Sequence, residues 1–305
     1  MKRILILLLA LLCLCTGCTA PQKSDKTVIV ATNFAEFDFA RAIAKGKADI
    51  SLLIPPGSDM HSFEPTLKDI AGIENSDLFI YIGGDSDSQI ERILDAISSD
   101  TLRTLRMSDF VCLAEHSEND SEHHHSHDDE AYVEHIWTSP ENAEKMITAI
   151  SEALCQLDPE NEEFYKTNAS QYILKIKEAA TEIKSVIESS SNRTLAVADR
   201  NPYKYFTDYF SLNAVAAFSG CSEDTDADLK TVVTLIETVK KSGAKAVFVT
   251  ELGNRVLADT VAENTGATVL TLHSYHNISN EDFNNGVTYV DLMHRNKSAL
   301  LEGLN

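Results

Sequence analysis

Basic residues are scarce: 26 Lys and Arg stand against 47 Asp and Glu in 305 residues, a formal charge of −21. Such a surface repels nucleic acid and anionic lipid headgroups and favours cations as partners. Cysteines are few, and Cys13, Cys15 and Cys18 fall in the first eighteen residues. The other three, Cys112, Cys155 and Cys221, are odd in number and far apart. They form neither a disulfide framework nor a thiolate metal site, and at most one bridge, of open pairing. No apolar run is long enough to span a bilayer: the run Ile4 to Leu14 is about half of the roughly 20 residues required. Catalytic signatures are missing too. There is no His-Glu-x-x-His helix and no nucleophile elbow, and Gly83-Gly84-Asp85 leads to no Gly-Lys-Ser/Thr, which excludes a phosphate cradle.

What is present begins with an address. Lys2 and Arg3 precede the apolar run, the pattern of a cleaved export signal. The run closes on Leu14-Cys15-Thr16-Gly17-Cys18, which resembles a bacterial lipobox, with Cys18 as the lipidated mature N-terminus. It departs from that pattern at Cys15, where Leu is usual, and an ordinary secretory signal is the alternative. Losing Lys2 and Arg3 with the leader takes the formal charge to −23. Residues 1–18 are thus expected to be a signal peptide and 19–26, polar with Pro21, a tether.

From Thr27 short β-branched runs alternate with helical stretches. Thr27 to Ala31, Ile50 to Ile54 and Leu78 to Ile82 read as strands, with helix-spaced apolar positions over Ala35 to Lys45 and Thr66 to Asn75. The rhythm restarts with strands at Leu195 to Ala198, Val215 to Phe218, Ala246 to Thr250 and Thr268 to Leu272, and helices at Tyr203 to Phe210, Leu229 to Ser242 and Ala258 to Asn264. The expected fold class is α/β, two lobes each with a central, mostly parallel sheet flanked by helices. The N-terminal lobe is assigned to 27–157 and the C-terminal lobe to 191–305. Between them, residues 158–190 read as one long rigid helix. Asp158 is placed to cap it, Pro159 suits its first turn, and Tyr165, Ala169, Tyr172, Ile176, Ala180, Ile183 and Ile187 recur at helical spacing. At 1.5 Å per residue it would run on the order of 45 Å, a connector stiff enough to limit the lobes to small tilts.

A cation site needs lone pairs converging from several loops, and in α/β sheets those loops lie at strand C-termini. His61 follows the strand ending at Ile54, in a loop fixed by Pro55, Pro56 and Gly57. His135 lies just ahead of Ser139 and Pro140, which read as the cap and first residue of a helix. His273 follows Leu272 directly. Each of the three, taken alone, reads more readily as a surface histidine than as a ligand. Residues 115–130, with His116, His123, His124, His125 and His127 among seven acids, show no apolar periodicity and are expected to be a loop. They read either as a weak multi-site metal collector or as a solvated linker.

The stretch Pro56-Gly57-Ser58-Asp59-Met60-His61-Ser62-Phe63-Glu64-Pro65-Thr66 resembles the first ligand motif of the zinc/manganese solute-binding proteins of ABC importers. Glu134-His135-Ile136-Trp137-Thr138-Ser139-Pro140 resembles their second, and the acidic, His-rich stretch before it is typical of zinc members. The resemblance runs from about Thr27 to Leu304. It implies a two-lobed fold with a rigid linking helix, a cation held between the lobes, delivery to a membrane ABC permease and no hydrolysis; the lipobox reading separately implies an exported protein anchored through its N-terminal lipid to the outer face of the cytoplasmic membrane. The C-terminal half diverges from the family pattern. Counting back from Tyr205-Phe206 puts Arg200 where the third ligand usually stands, and arginine has no lone pair to give. Its neighbour Asp199 is the substitute, with water as the alternative, and His273 stands where the family carries Asp. His276 is a spare candidate. An imidazole-rich set favours Zn²⁺ over Mn²⁺ or Fe²⁺. Glu64 and Glu134 are candidates to accept the second ring N–H of a ligand histidine. Two other readings use the same residues: an exported zinc-dependent hydrolase, and a carrier of a bulkier metal chelate contacted by Arg200, Tyr203 and Tyr205.

Overall fold

The structure is a computed structural model that describes residues 26–58, 63–84, 87–114, 133–219 and 228–305. Cys18, His61, Cys221 and the five histidines from His116 to His127 lie outside the described residues.

Two four-stranded parallel sheets are built in the same way. The first is β1 (Thr27–Ala31), β2 (Ala48–Leu52), β3 (Leu78–Tyr81) and β4 (Arg103–Arg106), in the order β2-β1-β3-β4. The second is β5 (Thr194–Asn201), β6 (Asn213–Ser219), β7 (Ala246–Val249) and β8 (Thr268–Thr271), in the order β6-β5-β7-β8. Every pairing is parallel. In each sheet the order reverses beside the first strand, and crevices that accept ligands open outside the strand C-termini at such points.

Period-two alternation explains the layers. Ile29, Ala31, Leu78 and Ile80 face one way and Val30, Phe79 and Tyr81 the other, and both faces are buried. The second sheet repeats this with Leu195, Val197, Ala246 and Phe248 against Ala196, Ala198, Val247 and Val249. Helices α1 (Phe34–Ala44), α2 (Leu67–Glu74), α3 (Ser88–Ala96) and α4 (Pro140–Leu157) belong to the first lobe. The connector α5 (Glu162–Ser189) follows, and then α6 (Lys204–Phe210), α7 (Leu229–Ser242), α8 (Arg255–Thr265), α9 (Asn280–Asn284) and α10 (Tyr289–Gly303).

The inner faces of both sheets share one apolar core with α1, α4, α5 and α10, whereas the outer face of each sheet has its own small cluster. The lobes therefore do not swing freely: separating them would expose Trp137, Tyr172, Tyr203, Tyr275 and Tyr289, all buried. The 28-residue α5 is the long helix expected, with Tyr165, Tyr172, Ile176, Ile183 and Ile187 inward. Its start differs: Pro159–Asn161 is a 3₁₀ turn, and the Asp158 carboxylate accepts from Tyr165 Oη and Asn161 Nδ2 instead of capping the helix. Cys112 and Cys155 are free thiols. Among the described residues no helix is long and apolar enough to cross a membrane.

Candidate metal centre

His135 sits at the head of a 3₁₀ turn, Ile136–Thr138, that runs into α4. Its carbonyl accepts from Thr138 Oγ1 at 2.8 Å, and Ser139 caps α4 by accepting the Asn142 N–H, as the sequence predicts. Trp137 then reaches across to the second lobe, donating from Nε1 to Ser274 O at 2.8 Å, while Tyr289 Oη donates to Trp137 O at 2.7 Å. Locked on both sides, His135 is 2% exposed and lies on the lobe boundary.

The second lobe meets it with the segment after β8. His273 is half-buried, its backbone N–H and C=O both bonded to the Asn296 amide at 2.7 and 2.8 Å. Burial holds its imidazole below the ordinary range, opposed by the Glu251 carboxylate and reinforced by the Arg295 guanidinium. Glu251, just past β7, accepts from Ser274 N at 2.8 Å and Ser274 Oγ at 2.7 Å, and Tyr275 turns the chain in the left-handed region at φ 61°. The turn brings His276 against His135: ring centroids are 5.7 Å apart with planes at 90°, and the Trp137 ring lies 5.0 Å from His276 at a 43° tilt. The Phe34 N–H binds His276 O at 3.0 Å, and Gly57 N binds Ile278 O at 2.8 Å. Asn277 Nδ2 donates to Pro55 O at 3.1 Å and Ser58 O at 2.5 Å, clamping the loop that leads to His61.

Asp199 lies at the C-terminal end of β5, half-buried. Its Oδ2 accepts from Thr250 N at 3.1 Å and Thr250 Oγ1 at 2.5 Å, and its Oδ1 from Arg200 N at 2.8 Å. Gly253 is packed onto this carboxylate so closely that a Cβ there would lie 1.9 Å from Oδ2. Thus the structure puts His135 beside His276 on the lobe boundary and ties Asp199 to the β7 end. Among the described residues no three His, Cys, Asp or Glu side chains converge as a cation site.

The reversal point of the first sheet carries buried carboxylates. Glu36 caps its own helix through Asn33 N, accepts from Thr32 Oγ1 at 2.7 Å, and is held well above the carboxylate range by burial, with Asp87 adding to the shift. Asp87 Oδ2 accepts from Ile82 N at 3.0 Å and Gly83 N at 2.8 Å. Its carboxyl is pushed up to about 6 by burial and by the charge of Glu134, against the hydrogen bond from Gly83. Gly83 is needed for geometry, with φ 83° and the Arg106 side chain where a Cβ would go.

Glu251, Asn277 and Asn296 are the residues that sequence reasoning missed. Only Glu251 had a signal, its place one residue beyond the predicted strand Ala246 to Thr250.

Residues 29–303 match the family described as zinc-uptake complex component A, periplasmic. The chain is 28% identical over 292 residues to the high-affinity zinc uptake system protein ZnuA of Bacillus subtilis, covering 94% of this chain and 90% of that protein. It is 26% identical over 310 residues to the zinc-binding lipoprotein AdcA of Streptococcus pneumoniae, where it spans 98% of itself but only 60% of the relative. The crystal structure of the metal-dependent lipoprotein YcdH of Bacillus subtilis superposes with a TM-score of 0.77 at 25% identity, over 92% of this chain and 99% of that one. The match extends through both sheets to residue 303, and the chain belongs to the ZnuA family of periplasmic zinc-uptake components.

Proposed function

We propose that this chain captures zinc outside the cytoplasmic membrane with high affinity and hands it to an ABC permease, its ion held at the lobe boundary by His61, His135 and His273. The observation that carries this reading is His135, a histidine 2% exposed, held by Trp137 against the loop that bears the second lobe's histidines. For the fourth position the carboxylate candidate is Asp199. Imidazole donors favour zinc over manganese or iron. The family is a metal-binding transport component, which is the ground for reading the site as a carrier's and the chain as no enzyme. Its lobes share one core, which suits a small ion better than a bulky chelate.

Two peripheral features complete the reading. Cys18 carries the lipid that keeps the protein at the outer face of the membrane, within reach of its permease. The histidines from His116 to His127 act as a weak collector that raises the local metal concentration. The test is zinc calorimetry on the chain from Thr19 with residues 116–127 deleted, beside the same chain carrying His61→Ala or His135→Ala. One tight site, lost in either variant, is expected. A deleted chain with no tight site would show that the loop was the metal binder and would sink the proposal.

A further inference from the structure

We propose that Tyr205 is a positioning residue of the metal site: its hydroxyl, together with that of Tyr203, fixes the segment carrying His135 against the segment carrying His273. This rests on the reading of the lobe boundary as a zinc site.

Tyr205 lies in the first turn of α6, in the second lobe, yet both backbone partners of its hydroxyl are in the first. Oη donates to Val133 O at 2.7 Å and accepts from Ala114 N at 2.9 Å. Val133 N in turn donates to Ala114 O at 3.0 Å. One phenol thereby uses its single proton and a lone pair on two backbone groups and joins three segments of chain. Val133 stands two residues ahead of His135. On the other side of that histidine, Trp137 Nε1 donates to Ser274 O at 2.8 Å. The second lobe therefore grips the His135 segment both before and after the imidazole.

Tyr203 makes the matching contact at the other histidine. Buried at the head of α6, it donates from Oη to the carbonyl of Leu272, the residue directly before His273. Its own carbonyl accepts the Thr207 N–H at 2.7 Å, so both tyrosines belong to one turn of chain. The root of α6 is then a short strut, with one hydroxyl on the residue before His273 and the other two residues before His135. Ligands from two lobes must reach one ion together. A strut that sets their separation in advance lowers the ordering cost of binding, as groups that orient metal ligands do.

Packing alone does not call for these hydroxyls. Phe206 and Phe210 fill the same core from the same helix, and a phenylalanine at 205 would do so without a polar group to desolvate. Nor is Tyr205 offered to a bulky chelate: it is 7% exposed, with its hydroxyl engaged on backbone.

Zinc release tests this, with Tyr205→Phe and Tyr165→Phe compared on the chain from Thr19. Tyr165→Phe is the control, since it removes a phenol hydroxyl bonded to Asp158 at the start of the connector. Chelator competition, read as the slowest phase, should show Tyr205→Phe releasing zinc roughly 10- to 100-fold faster, the range for residues that orient a ligand. Tyr165→Phe should release it at the original rate, whatever each variant loses in metal-free stability. Tyr205→Phe releasing zinc no faster than Tyr165→Phe would overturn the inference and leave the zinc-carrier reading standing. The unmutated chain supplies a second measurement, which no folding defect can affect. If the Tyr205 contacts raise zinc affinity, zinc must tighten those contacts by the same factor. Hydrogen exchange at the Ala114 N–H, which opens when Tyr205 lets go, should slow by about that factor on zinc loading. Exchange there unchanged by tightly bound zinc would overturn the inference as well. If the unmutated chain binds no zinc tightly, both readings fall.

Discussion

The backbone N–H of Tyr289, at the start of α10, donates to the carboxylate of Asp38 in α1 at 2.9 Å, across the boundary between the lobes. The same carboxylate accepts from Tyr172 Oη on the connector and from Arg41, which itself reaches Val287 O at 2.8 Å. One buried anion thereby ties both lobes to the connecting helix. Burial pushes its carboxyl up, and Arg41 and these donors offset part of that push.

Replacing Asp38 by Ala is expected to destabilise the whole chain by about 2–4 kcal/mol, because a buried hydroxyl and a buried amide lose their acceptor together. Arg41, about a third exposed, can turn to water, which keeps the cost below that of a fully buried ion pair. Urea unfolding followed by circular dichroism measures it. A shift under about 0.5 kcal/mol would show that the three elements hold together by apolar packing alone.

Asp87 should give stability an uncommon pH dependence. Its folded carboxyl stands at about 6 against an ordinary 3.8. A raised folded value means the native state holds a proton that the unfolded chain has already lost between those two pH values. The contribution is therefore complete below about 3.8 and is lost as pH rises through about 6, for a total on the order of 2–3 kcal/mol. Glu134 and Glu91 are the charged neighbours that add to the shift. Asp87→Asn keeps an oxygen for Ile82 and Gly83 and removes the charge. The variant is expected to be more stable than the unmutated chain near pH 7.5, with the gap closing towards pH 4. Parallel denaturation curves across that range would refute the assignment.

Gly253 carries a steric prediction. A Cβ would lie 1.9 Å from Asp199 Oδ2 and 2.9 Å from Thr250 Oγ1. Gly253→Ala should push the Asp199 carboxylate off Thr250 and cost about 1–3 kcal/mol, typical of overpacking. Zinc affinity should stay within a few fold if Asp199 is structural. A large loss of affinity without loss of stability would instead support Asp199 as the fourth ligand.

Much of the fold was legible because it rests on local periodicity. The buried runs Leu78–Tyr81 and Ala246–Val249 and the inward residues of α5 were readable at their own positions. The edge strand β4, Arg103–Arg106, was not: Arg103 and Arg106 flank Thr104 and Leu105 and all four are at least partly exposed, so it lacks an apolar run. Helix α10 was overlooked although Thr288 and Asp291 form a capping box, a signal the sequence does carry. At the candidate site, His135 was readable from its place ahead of the Ser139 cap. Glu251 and Asn277 matter through bonds to residues far along the chain, 222 positions away for Asn277 to Pro55, and no local pattern encodes such a partner.

That distant bond sets the last prediction. Asn277 is 5% exposed and donates its amide to Pro55 O and Ser58 O, so the second lobe grips the loop leading to His61. Asn277→Ala removes this donor from Ser58 O, leaves Pro55 O with the Ser58 N–H alone, and lets that loop move, and Asn277→Asp places an anion against the same carbonyls. Both should weaken zinc binding by roughly 10- to 100-fold, the range for residues that orient a metal ligand. With His61 as a ligand, as proposed above, the loss should fall mainly on release, since a loosened loop would let it leave the ion while approach of the ion is unchanged. Competition with a fast chelator reads the off-rate directly, and thermal unfolding without metal reads the structural cost. A faster off-rate in both variants, exceeding what the metal-free stability loss explains, is the expected result. Variants that lose stability but release zinc at the original rate would show that Asn277 joins the lobes and does not position the site.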